Sequence, residues 1–488
     1  MKILMLASEA VPLAKTGGLA DVVGTLPVEL ARLGHEVTLA LPRYAGIDSA
    51  GIKLKKASTV QVPWRGGELD VVLETGVLGD GKVPLVCICH DPFFARAGLY
   101  GEGGRDYPDN LDRFVLFCRA VMEACKQPER PPDVLHAHDW QAALAVAYLK
   151  TLYRNDPAWT GTRALFTIHN IGYQGHFPVS AYDTIGLPWS EYTPERLEYY
   201  GQVNLLKGGL VYADIINTVS PTYAREIQTA EFGYGLEGVL QVRKDRLFGV
   251  TNGIDYNVWN PATDSHLPAH YSVDDLAGKR ECKHALQTEM KLPVRDVPLV
   301  GLVSRLAFQK GIDLIVDILP KLLDLDVQVV ALGSGDPSYQ TLLTGLSERY
   351  PDKLAVRLAF DEPLAHRIEA GADLFLMPSR YEPCGLNQLY SLRYGTVPVV
   401  RKTGGLADTV VPYVPDVRSG AAATGFSFEK PEPEVLLSTL LLALRVYRDK
   451  EEWAGLMRRG MQQDFSWQRS AKQYVELYKR ALAVKPAV

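Results

Sequence analysis

Short apolar runs recur along the chain, and stretches with helical spacing separate them. Residues 2–7 form the first run, residues 19–33 have a helical pattern that ends at Gly34, and residues 36–40 form the next run. A strand, a helix and a second strand in this order predict a parallel sheet with right-handed crossovers.

The alternation of apolar runs and helical stretches continues to about residue 250. Further strands are predicted at residues 85–89, 134–137, 164–168 and 215–219, and helices at residues 112–126 and 141–153. This succession predicts one doubly wound α/β domain over residues 1–250.

A second series of strands follows a stretch rich in Pro and Asp. We interpret residues 252–275 as an interdomain connection. The pattern then predicts strands at 299–304, 327–332, 354–358, 374–377 and 397–400, with a helix at 311–323. A second doubly wound domain is therefore expected over residues 251–465. The helix within residues 466–488 is expected to pack back on the first domain.

Two Rossmann-like domains predict where a ligand binds. In open parallel sheets, ligands lie beyond the carboxyl ends of the strands. Two such domains facing each other are expected to form one cleft with binding loops on both walls. The loops that follow the predicted strands are therefore the places to search for chemistry.

Composition excludes several classes of partner. The chain has 488 residues with 47% hydrophobic and 22% charged residues, which is typical of a globular enzyme. The net charge of −5 and the lack of a long basic run argue against nucleic acid. No run of about 18 apolar residues predicts a membrane span. Residues 1–8 are interpreted as a buried strand, because Glu9 interrupts the apolar run before it reaches the length of a signal peptide.

The six cysteines are scattered without the spacing of a disulfide scaffold or a zinc site. This distribution predicts a reduced, cytoplasmic protein, with a plastid location only if a transit peptide has been removed. Cys87, Cys89 and His90 lie close together, and ligation of a metal is an alternative there. Core packing is favoured because the group ends an apolar run.

One heptapeptide, Lys-Thr-Gly-Gly-Leu-Ala-Asp, occurs twice, at Lys15–Asp21 and at Lys402–Asp408. Each copy follows a predicted strand and precedes a predicted helix. Gly17 and Gly18 let the backbone approach an anion, and the helix N-terminus supplies N–H donors. Lys15 adds a charge suited to a diphosphate. A tight turn in the first copy, or a relic of domain duplication for both, is the alternative.

Two cations follow the predicted strand at residues 299–304. Arg305 and Lys310 lie on the loop that leads into the next helix, where they can neutralise a pyrophosphate leaving group. A surface pair is the alternative. Phosphate is favoured because cations at a helix start oppose the helix dipole unless an anion is present.

A carboxylate follows the predicted strand at residues 374–377. Glu382 is expected to accept hydrogen bonds from sugar hydroxyls or to stabilise a partial positive charge. Gly385, Leu386 and Asn387 follow it and can offer backbone N–H groups to phosphate. An ion pair between Glu382 and Arg380 is the alternative.

Histidines and polar residues end two neighbouring strands of the first domain. Asp139, His169 and Asn170 are predicted to contact sugar hydroxyls. The pair His136 and His138 beside Asp139 also admits a metal site, which is disfavoured because only one carboxylate is near. His136 is interpreted as structural.

These segments together resemble bacterial glycogen synthase and plant starch synthase. The resemblance runs in unbroken order from residue 1 to about residue 480. The segments that carry it are Lys15–Asp21, His136–Trp140, His169 with Asn170, Asn252–Asp255, Arg305 with Lys310, Glu382–Leu386 and Thr403–Gly405.

The resemblance implies two Rossmann-like domains in the arrangement called GT-B. It implies a retaining hexosyltransferase that moves glucose from ADP-glucose to the non-reducing end of an α-1,4-glucan, in glycogen biosynthesis. No metal and no cofactor are expected, because a cation-lined diphosphate site replaces the divalent ion. Lys15, Arg305 and Lys310 would hold that diphosphate.

Roles for the sugar site also follow from the resemblance. Asp21, His169 and Asn252 would contact the donor glucose, Asp139 would lie near the reacting centre, and Glu382 would orient the sugar and favour an oxocarbenium-like transition state. Retention without a second carboxylate nucleophile implies departure and attack on one face. The leaving phosphate would itself take the acceptor proton.

The resemblance implies further substrate contacts from the loops. They comprise Gly17, Gly18, Asn170, Cys384, Gly385, Leu386, Thr403, Gly404 and Gly405. Phe360 would stack on adenine where the family often has Tyr. Tyr100 would contact the acceptor, with an exposed loop tyrosine as the alternative. Tyr390 replaces the second Glu of related UDP-sugar enzymes and favours an ADP donor.

Other functions stay open at this point. A glucan synthase that prefers UDP-glucose, a nucleotide-sugar 2-epimerase and a non-catalytic glucan-binding paralogue are the alternatives. The two heptapeptides are expected to act unequally: the first through Lys15 and Asp21, the second through its Thr403–Gly405 backbone, with Lys402 peripheral. Closure of the cleft is expected to bring them onto one nucleotide sugar.

Overall fold

The structure is a computed structural model that describes residues 1–79, 81–415 and 422–485. The chain divides into two units. The first unit comprises Met1–Gly253 together with the segment from Trp467 onward, and the second unit comprises Ile254–Ser466. Each is built around its own mainly parallel sheet, so the predicted α/β class is confirmed.

The strands of the first unit include all those predicted from apolar runs. They are β1 (Lys2–Leu6), β2 (Glu36–Pro42), β3 (Lys55–Trp64), β4 (Gly67–Leu78), β5 (Val83–Cys89), β6 (Gly101–Glu102), β7 (Arg105–Asp106), β8 (Val134–His138), β9 (Arg163–Ile168), β10 (His176–Pro178), β11 (Glu198–Tyr199), β12 (Gln202–Asn204), β13 (Ile215–Thr218) and β14 (Leu247–Gly249).

Nine of these strands, counted over the described residues, form one sheet in the order β14-β13-β9-β8-β1-β2-β5-β4-β3. Its pairs are parallel apart from β3–β4 and β4–β5, which are antiparallel. The strand order reverses at β1, since the chain continues from β1 to β2 on one side and from β8 to β9 on the other. The loops after β1 and β8 therefore lie at the position where such sheets bind ligands.

Helices cover the sheet of the first unit. They are α1 (Gly18–Arg32), α2 (Asp91–Phe94), α3 (Asn110–Ala124), α4 (Asp139–Lys150), α5 (Tyr182–Ile185), α6 (Leu205–Tyr212), α7 (Pro221–Glu226) and α8 (Glu237–Val242). The residues of β1 and β8 are almost completely buried, as expected for strands with helices on both faces.

The second unit has a parallel sheet with a similar reversal. Over the described residues its strands are β15 (Leu299–Val303), β16 (Gln328–Leu332), β17 (Leu354–Arg357), β18 (Leu374–Met377), β19 (Val397–Arg401) and β20 (Phe426–Phe428). The strand order is β17-β16-β15-β18-β19-β20, so the reversal falls between β15 and β18. The loops after these two strands carry the predicted cations and Glu382.

The second unit contains the helices α9 (Ala277–Glu289), α10 (Ile312–Leu323), α11 (Pro337–Arg349), α12 (Glu362–Gly371), α13 (Asn387–Arg393), α14 (Gly404–Thr409), α15 (Pro433–Tyr447) and α16 (Lys450–Met461). Helices α10–α14 connect its parallel strands, whereas α9 lies before the first strand and α15 and α16 lie after the last. The apolar face of α10 is buried in a core cluster that also contains residues of β15 and β16.

The final helix, α17 (Trp467–Ala483), belongs to the first unit. Its Tyr474 and Tyr478 are fully buried beneath the sheet. The hydroxyl of Tyr478 lies 2.9 Å from Nδ1 of His136, and Nδ2 of Asn217 donates to the hydroxyl of Tyr474. His136 is thus buried and bound between α17 and β9, where Thr167 contacts its other ring nitrogen.

Residues 252–275 are not an open connection, which corrects our interpretation of that stretch. Trp259 stacks between the rings of His366 and Tyr390, with 3.7 Å between centroids on each side. Asp264 accepts hydrogen bonds from His366 and Tyr394. From Ile254 onward the stretch is therefore packed into the second unit.

No helix in the described part of the chain combines the length and the apolar character needed to cross a membrane.

Candidate active site

The first heptapeptide lies on the loop between β1 and α1, and a buried carboxylate holds it. Glu9, only 3% exposed, accepts hydrogen bonds from Thr16 N at 2.5 Å, Thr16 Oγ1 at 2.6 Å and Gly17 N at 3.2 Å. Lys15 Nζ lies 2.7 Å from Asp21 Oδ1. The N–H of Gly17, which was expected to face an anion, thus already has an acceptor, whereas α1 begins one residue later at Gly18.

Tyr100 is bound to the same carboxylate. Its hydroxyl donates to Glu9 Oε1 at 2.6 Å and lies 2.7 Å from Ser8 Oγ. Burial of this hydroxyl, with the charge of Glu9 beside it, raises the pKa of Tyr100 well above its usual value. The alternative of an exposed loop tyrosine is therefore wrong for the hydroxyl group.

Asp139 begins α4 directly after β8 and adopts a backbone φ of 56°, which is uncommon for a residue other than Gly. Its Oδ1 accepts the backbone N–H of His169 at 2.7 Å. Burial, with a smaller contribution from the negative charge of Glu9, raises the pKa of Asp139 to about 7. Strained backbone and a carboxyl that titrates near neutral pH are both typical of functional sites.

His169 is buried after β9, and the ring of a second histidine holds it. His138 Nδ1 lies 2.9 Å from His169 Nε2. Burial lowers the pKa of His169 to about 3, so its imidazole is neutral at pH 7 and can share hydrogen bonds with a sugar hydroxyl. Within the described ranges, no group of three or more His, Cys, Asp or Glu side chains is arranged to hold a metal ion.

Asn170 and Asn252 differ in their freedom to bind a ligand. The side-chain oxygen of Asn170 accepts the backbone N–H of Gly172 at 2.9 Å. The Oδ1 atom of Asn252 is buried, and it has no hydrogen-bond partner among the residues that the structure covers. A buried acceptor without a partner costs free energy, and a ligand hydroxyl would remove that cost.

In the second unit, the loops after β15 and β18 bring a lysine and a carboxylate together. Lys310 Nζ lies 2.5 Å from Glu382 Oε2, and Ser379 Oγ donates to the same oxygen at 3.0 Å. The approach requires a glycine, because Gly311 has a φ of 69° and a Cβ there would lie 2.2 Å from the carbonyl oxygen of Pro378. Arg305 is exposed and donates only weakly to Gln309, at 3.3 Å.

The ion pair between Glu382 and Arg380 that we considered does not form. Arg380 instead pairs with Asp313 and stacks over the ring of Phe308. Glu382 is 6% exposed, and its ion-pair partner within the described residues is Lys310.

The second heptapeptide packs against the Glu382 loop through its glycines. Gly405 N donates to the carbonyl oxygens of Glu382 and Pro383, both at 3.2 Å. A Cβ on Gly404, whose φ is 45°, would lie 1.8 Å from the carbonyl oxygen of Glu382. Lys402 pairs with the exposed Glu429 at 3.1 Å. This copy therefore supports the loop that carries Glu382.

Most of the remaining predicted contacts lie on the loops after β18 and β19, and Phe360 lies apart from them after β17. Cys384 and Thr403 are buried, and Gly385, with a φ of 74°, precedes Leu386 at the start of α13. Phe360 follows β17 and is 81% exposed, so an aromatic face is available there.

Several residues of these loops were missed from the sequence. Glu9 was noted only as an interruption of an apolar run, Ser379 and Gly311 were given no role in the site, and His138 was considered only as part of a disfavoured metal site. Glu9 and Ser379 could have been found from their positions, because each lies within three residues of the end of a strand at which the strand order reverses.

Two Rossmann-like units, with cations, carboxylates and neutral histidines on the loops at their reversal points, are typical of GT-B glycosyltransferases. The comparisons with known proteins narrow this class.

Residues 2–242 match the starch synthase catalytic domain, and residues 289–455 match the glycosyl transferases group 1 family. The chain is 50% identical to a glycogen synthase of Anaeromyxobacter dehalogenans over 98% of this chain and 99% of that protein. It is 46% identical to the glycogen synthase of Thermotoga maritima over 99% of each. The catalytic domain of starch synthase IV from Arabidopsis thaliana, bound to ADP and acarbose, matches with a TM-score of 0.91, 37% identity and 99% coverage of both chains.

The chain belongs to the glycogen and starch synthase family of glycosyltransferases. The resemblance drawn from the motifs, the GT-B fold class and the assignment as a glucosyltransferase are thereby confirmed.

Proposed function

We propose that the protein transfers glucose from ADP-glucose to the non-reducing end of an α-1,4-glucan with retention of configuration. The observation that carries the proposal is the buried Glu382 with Lys310 at the reversal point of the second sheet. The bacterial relatives are glycogen synthases, and the Arabidopsis starch synthase was solved with ADP and acarbose. We place the reaction in the cytoplasm, in keeping with cysteines that are all free thiols in the described residues.

The diphosphate is assigned to three cations, Lys15, Arg305 and Lys310. Lys15 and Lys310 each contact a carboxylate in this structure, so each is held in place by a negative charge that phosphate oxygens can replace or share. Arg305 is exposed with one weak side-chain contact and is free to turn toward a ligand. These charges stabilise the ADP leaving group as its negative charge develops.

The glucosyl group is assigned to polar side chains of the first unit and to Glu382. Asp21, His169 and Asn252 bind its hydroxyls, and Asn252 supplies the buried oxygen that lacks a partner within the described residues. Asp139 lies near the reacting centre. Asn170 adds a contact from the loop that follows β9.

The loops of the second unit bind the rest of the donor. The segment Cys384–Leu386 and the backbone of Thr403–Gly405 approach the phosphates, and Phe360 stacks on adenine. No resident metal or cofactor takes part, because the cations supply the positive charge. Tyr100 contributes to the acceptor loop through its ring, since its hydroxyl is bound to Glu9.

The reaction proceeds on one face of the sugar. The bond between the anomeric carbon and the diphosphate oxygen breaks, and the acceptor hydroxyl forms the new bond from the same side. The leaving phosphate takes the proton of that hydroxyl. Glu382 stabilises the positive charge that develops on the sugar ring.

The direct test is a donor assay with purified protein. With ADP-glucose and glycogen we expect release of ADP and longer outer chains, and ADP-glucose is expected to be preferred over UDP-glucose. Preference for UDP-glucose would change the donor assignment. Appearance of an epimerised sugar without chain growth would identify the epimerase alternative, and absence of nucleotide release with both donors would overturn the proposal.

Replacement of Glu382 tests the site itself. Glu382→Ala is expected to lower kcat by about 10²–10³-fold, the effect of losing one stabilising group in a transition state. Glu429→Ala is the matched control, because Glu429 also pairs with a lysine but is exposed. Near-normal turnover in Glu382→Ala would remove this residue from the mechanism.

A further inference from the structure

Glu9 is a buried carboxylate whose partners in the described structure are neutral donors. It is 3% exposed, and no Lys, Arg or His of the described residues lies within ion-pair distance. Removal of a carboxylate from water is costly unless donors replace the lost hydration. At Glu9 four donors do so, namely Thr16 N, Thr16 Oγ1, Gly17 N and the Tyr100 hydroxyl.

These hydrogen bonds connect three separate segments of the first unit. Glu9 follows β1, Thr16 and Gly17 belong to the first heptapeptide, and Tyr100 lies on the loop before β6. The Tyr100 loop is itself tightly folded, because a Cβ on Gly98 would lie 1.9 Å from the carbonyl oxygen of Gly101. One carboxylate therefore joins the heptapeptide to the Tyr100 loop, whose backbone is also bound by Asn110 and Tyr107.

Apart from its bonds to Glu9, the segment between Lys15 and α1 has the ion pair of Lys15 with Asp21 and the hydrogen bond from Ala20 N to Gly17 O at 3.2 Å. Gly17 has an extended backbone, and a Cβ placed on it would meet no atom within 4 Å. Lys15 is more than a third exposed. The contacts that restrain the backbone between Lys15 and α1 are thus mainly those that Glu9 accepts.

We infer that Glu9 is a positioning residue for the donor loop: it holds Thr16 and Gly17 so that Lys15 is directed toward the diphosphate, and it fixes Tyr100 in the same arrangement. This inference rests on the proposed function. The carboxylate form is needed, because four donors converge on its two oxygens. A glutamine amide would present one NH₂ donor to those donors and could accept only through its single oxygen.

The test compares Glu9→Gln and Glu9→Asp with the control Glu29→Gln. Glu29 is also buried in the first unit, on α1, and pairs with Arg32. We expect Glu9→Gln to raise KM for ADP-glucose about tenfold or more with a smaller loss in kcat, as for lost hydrogen bonds to a charged group. Glu9→Asp should recover part of the loss because it keeps both oxygens, and Glu29→Gln should leave KM unchanged.

Hydrogen–deuterium exchange gives a second readout that does not depend on turnover. Backbone amides of residues 13–18 are expected to exchange faster in Glu9→Gln than in the wild type and in Glu29→Gln. If Glu9→Gln does not fold, Thr16→Val removes one donor to Glu9 and should show the same changes at smaller size. Faster exchange with unchanged KM and kcat would reduce Glu9 to a structural residue and overturn the inference.

The two failures can be told apart. If the wild type transfers no glucose, the proposed function fails while the exchange comparison still tests whether Glu9 holds the loop. If the wild type is active but Glu9→Gln matches it in exchange and in KM, the proposed function stands and the role of Glu9 is wrong.

Discussion

The heptapeptide at Lys15–Asp21 and its copy at Lys402–Asp408 have the same sequence and follow a strand in each unit, yet their contacts differ. In the first copy, Lys15 pairs with Asp21 of the same copy, and Gly17 has open space around it. In the second copy, Lys402 pairs with an exposed glutamate outside the copy, and the glycines press against the Glu382 loop. The glycines of the first copy are open to solvent, whereas the glycines of the second copy pack against the backbone of the Glu382 loop.

This difference teaches that the role of a motif depends on what its neighbours leave accessible. A glycine pair permits close approach of any group, and in the second copy that group is a protein backbone. In the first copy Glu9 accepts the backbone N–H groups of Thr16 and Gly17, and a Cβ on Gly17 would meet no atom within 4 Å. We therefore expect substitutions at equivalent positions of the two copies to have unequal effects.

The largest difference is expected between Gly404→Ala and Gly17→Ala. A Cβ on Gly404 would overlap the carbonyl oxygen of Glu382, and its φ of 45° is unfavourable for Ala. We expect the free energy of unfolding to fall by about 3 kcal/mol, with loss of transferase activity. Gly17→Ala should change that free energy by less than about 0.5 kcal/mol, since no atom lies near. Urea denaturation of both variants measures the contrast, and equal destabilisation would contradict it.

Loss of the first lysine is expected to have the next largest effect. Lys15→Ala should raise KM for ADP-glucose by about 10–100-fold, because a charge-assisted contact to phosphate is lost. Steady-state kinetics with varied ADP-glucose measures it. An unchanged KM would show that the first copy does not bind the diphosphate.

The free energy of unfolding is expected to depend on pH through Asp139, which belongs to the same unit as the first copy. Asp139 has its pKa raised to about 7, whereas an unfolded Asp titrates near 3.9. Between these values the folded state binds more protons than the unfolded state, so this residue makes the free energy of unfolding fall as pH rises from about 4 to about 7. Asp139→Asn should therefore gain stability relative to the wild type at pH 8 compared with pH 4.

The same carboxyl predicts a pH profile of activity. If ionised Asp139 stabilises the developing positive charge, kcat/KM should rise through about pH 7. The residual activity of Asp139→Asn should lack this inflection. Denaturation at both pH values serves as the structural control, and an unaltered profile in the variant would assign the inflection to another group.

The smallest effect is expected at the second lysine. Lys402 and Glu429 are 52% and 77% exposed, and exposed ion pairs contribute little. Lys402→Ala should change KM for ADP-glucose by less than about twofold. It is the matched control for Lys15→Ala, and an increase as large as that of Lys15→Ala would refute the difference between the copies.

Strands with continuous apolar runs were predictable, whereas the polar edge of the first sheet was not. β1, β8, β15 and β18 are buried on both faces, so their composition alone identifies them. The hairpin of β3 and β4 was missed because most residues of β3 are exposed and no apolar run marks it. The stretch from Ile254 was misread because Pro and Asp are typical of linkers, although Trp259 anchors it.

The candidate site was predictable to the extent that it depends on strand ends. Glu382, Lys310, Asp139 and His169 were selected as candidates because each follows a recognisable strand, and their roles stay predictions. The pairing of Lys310 with Glu382 and of His138 with His169 was not predicted, because the two residues of each pair are far apart in the sequence. The pairing of Arg380 with Asp313 instead of Glu382 was not predictable for the same reason.

The sequence by itself determined the α/β class, the family and the loops that carry the chemistry, because periodicity and motifs are local properties. Only the tertiary structure decided which carboxylate the lysine of each heptapeptide pairs with, which carboxylate Lys310 contacts and that Glu9 holds the first copy. Those outcomes depend on how strands distant in sequence become neighbours in a sheet. Burial then shifts the pKa values of Asp139 and His169, and the extent of burial depends on tertiary packing and not on the local sequence.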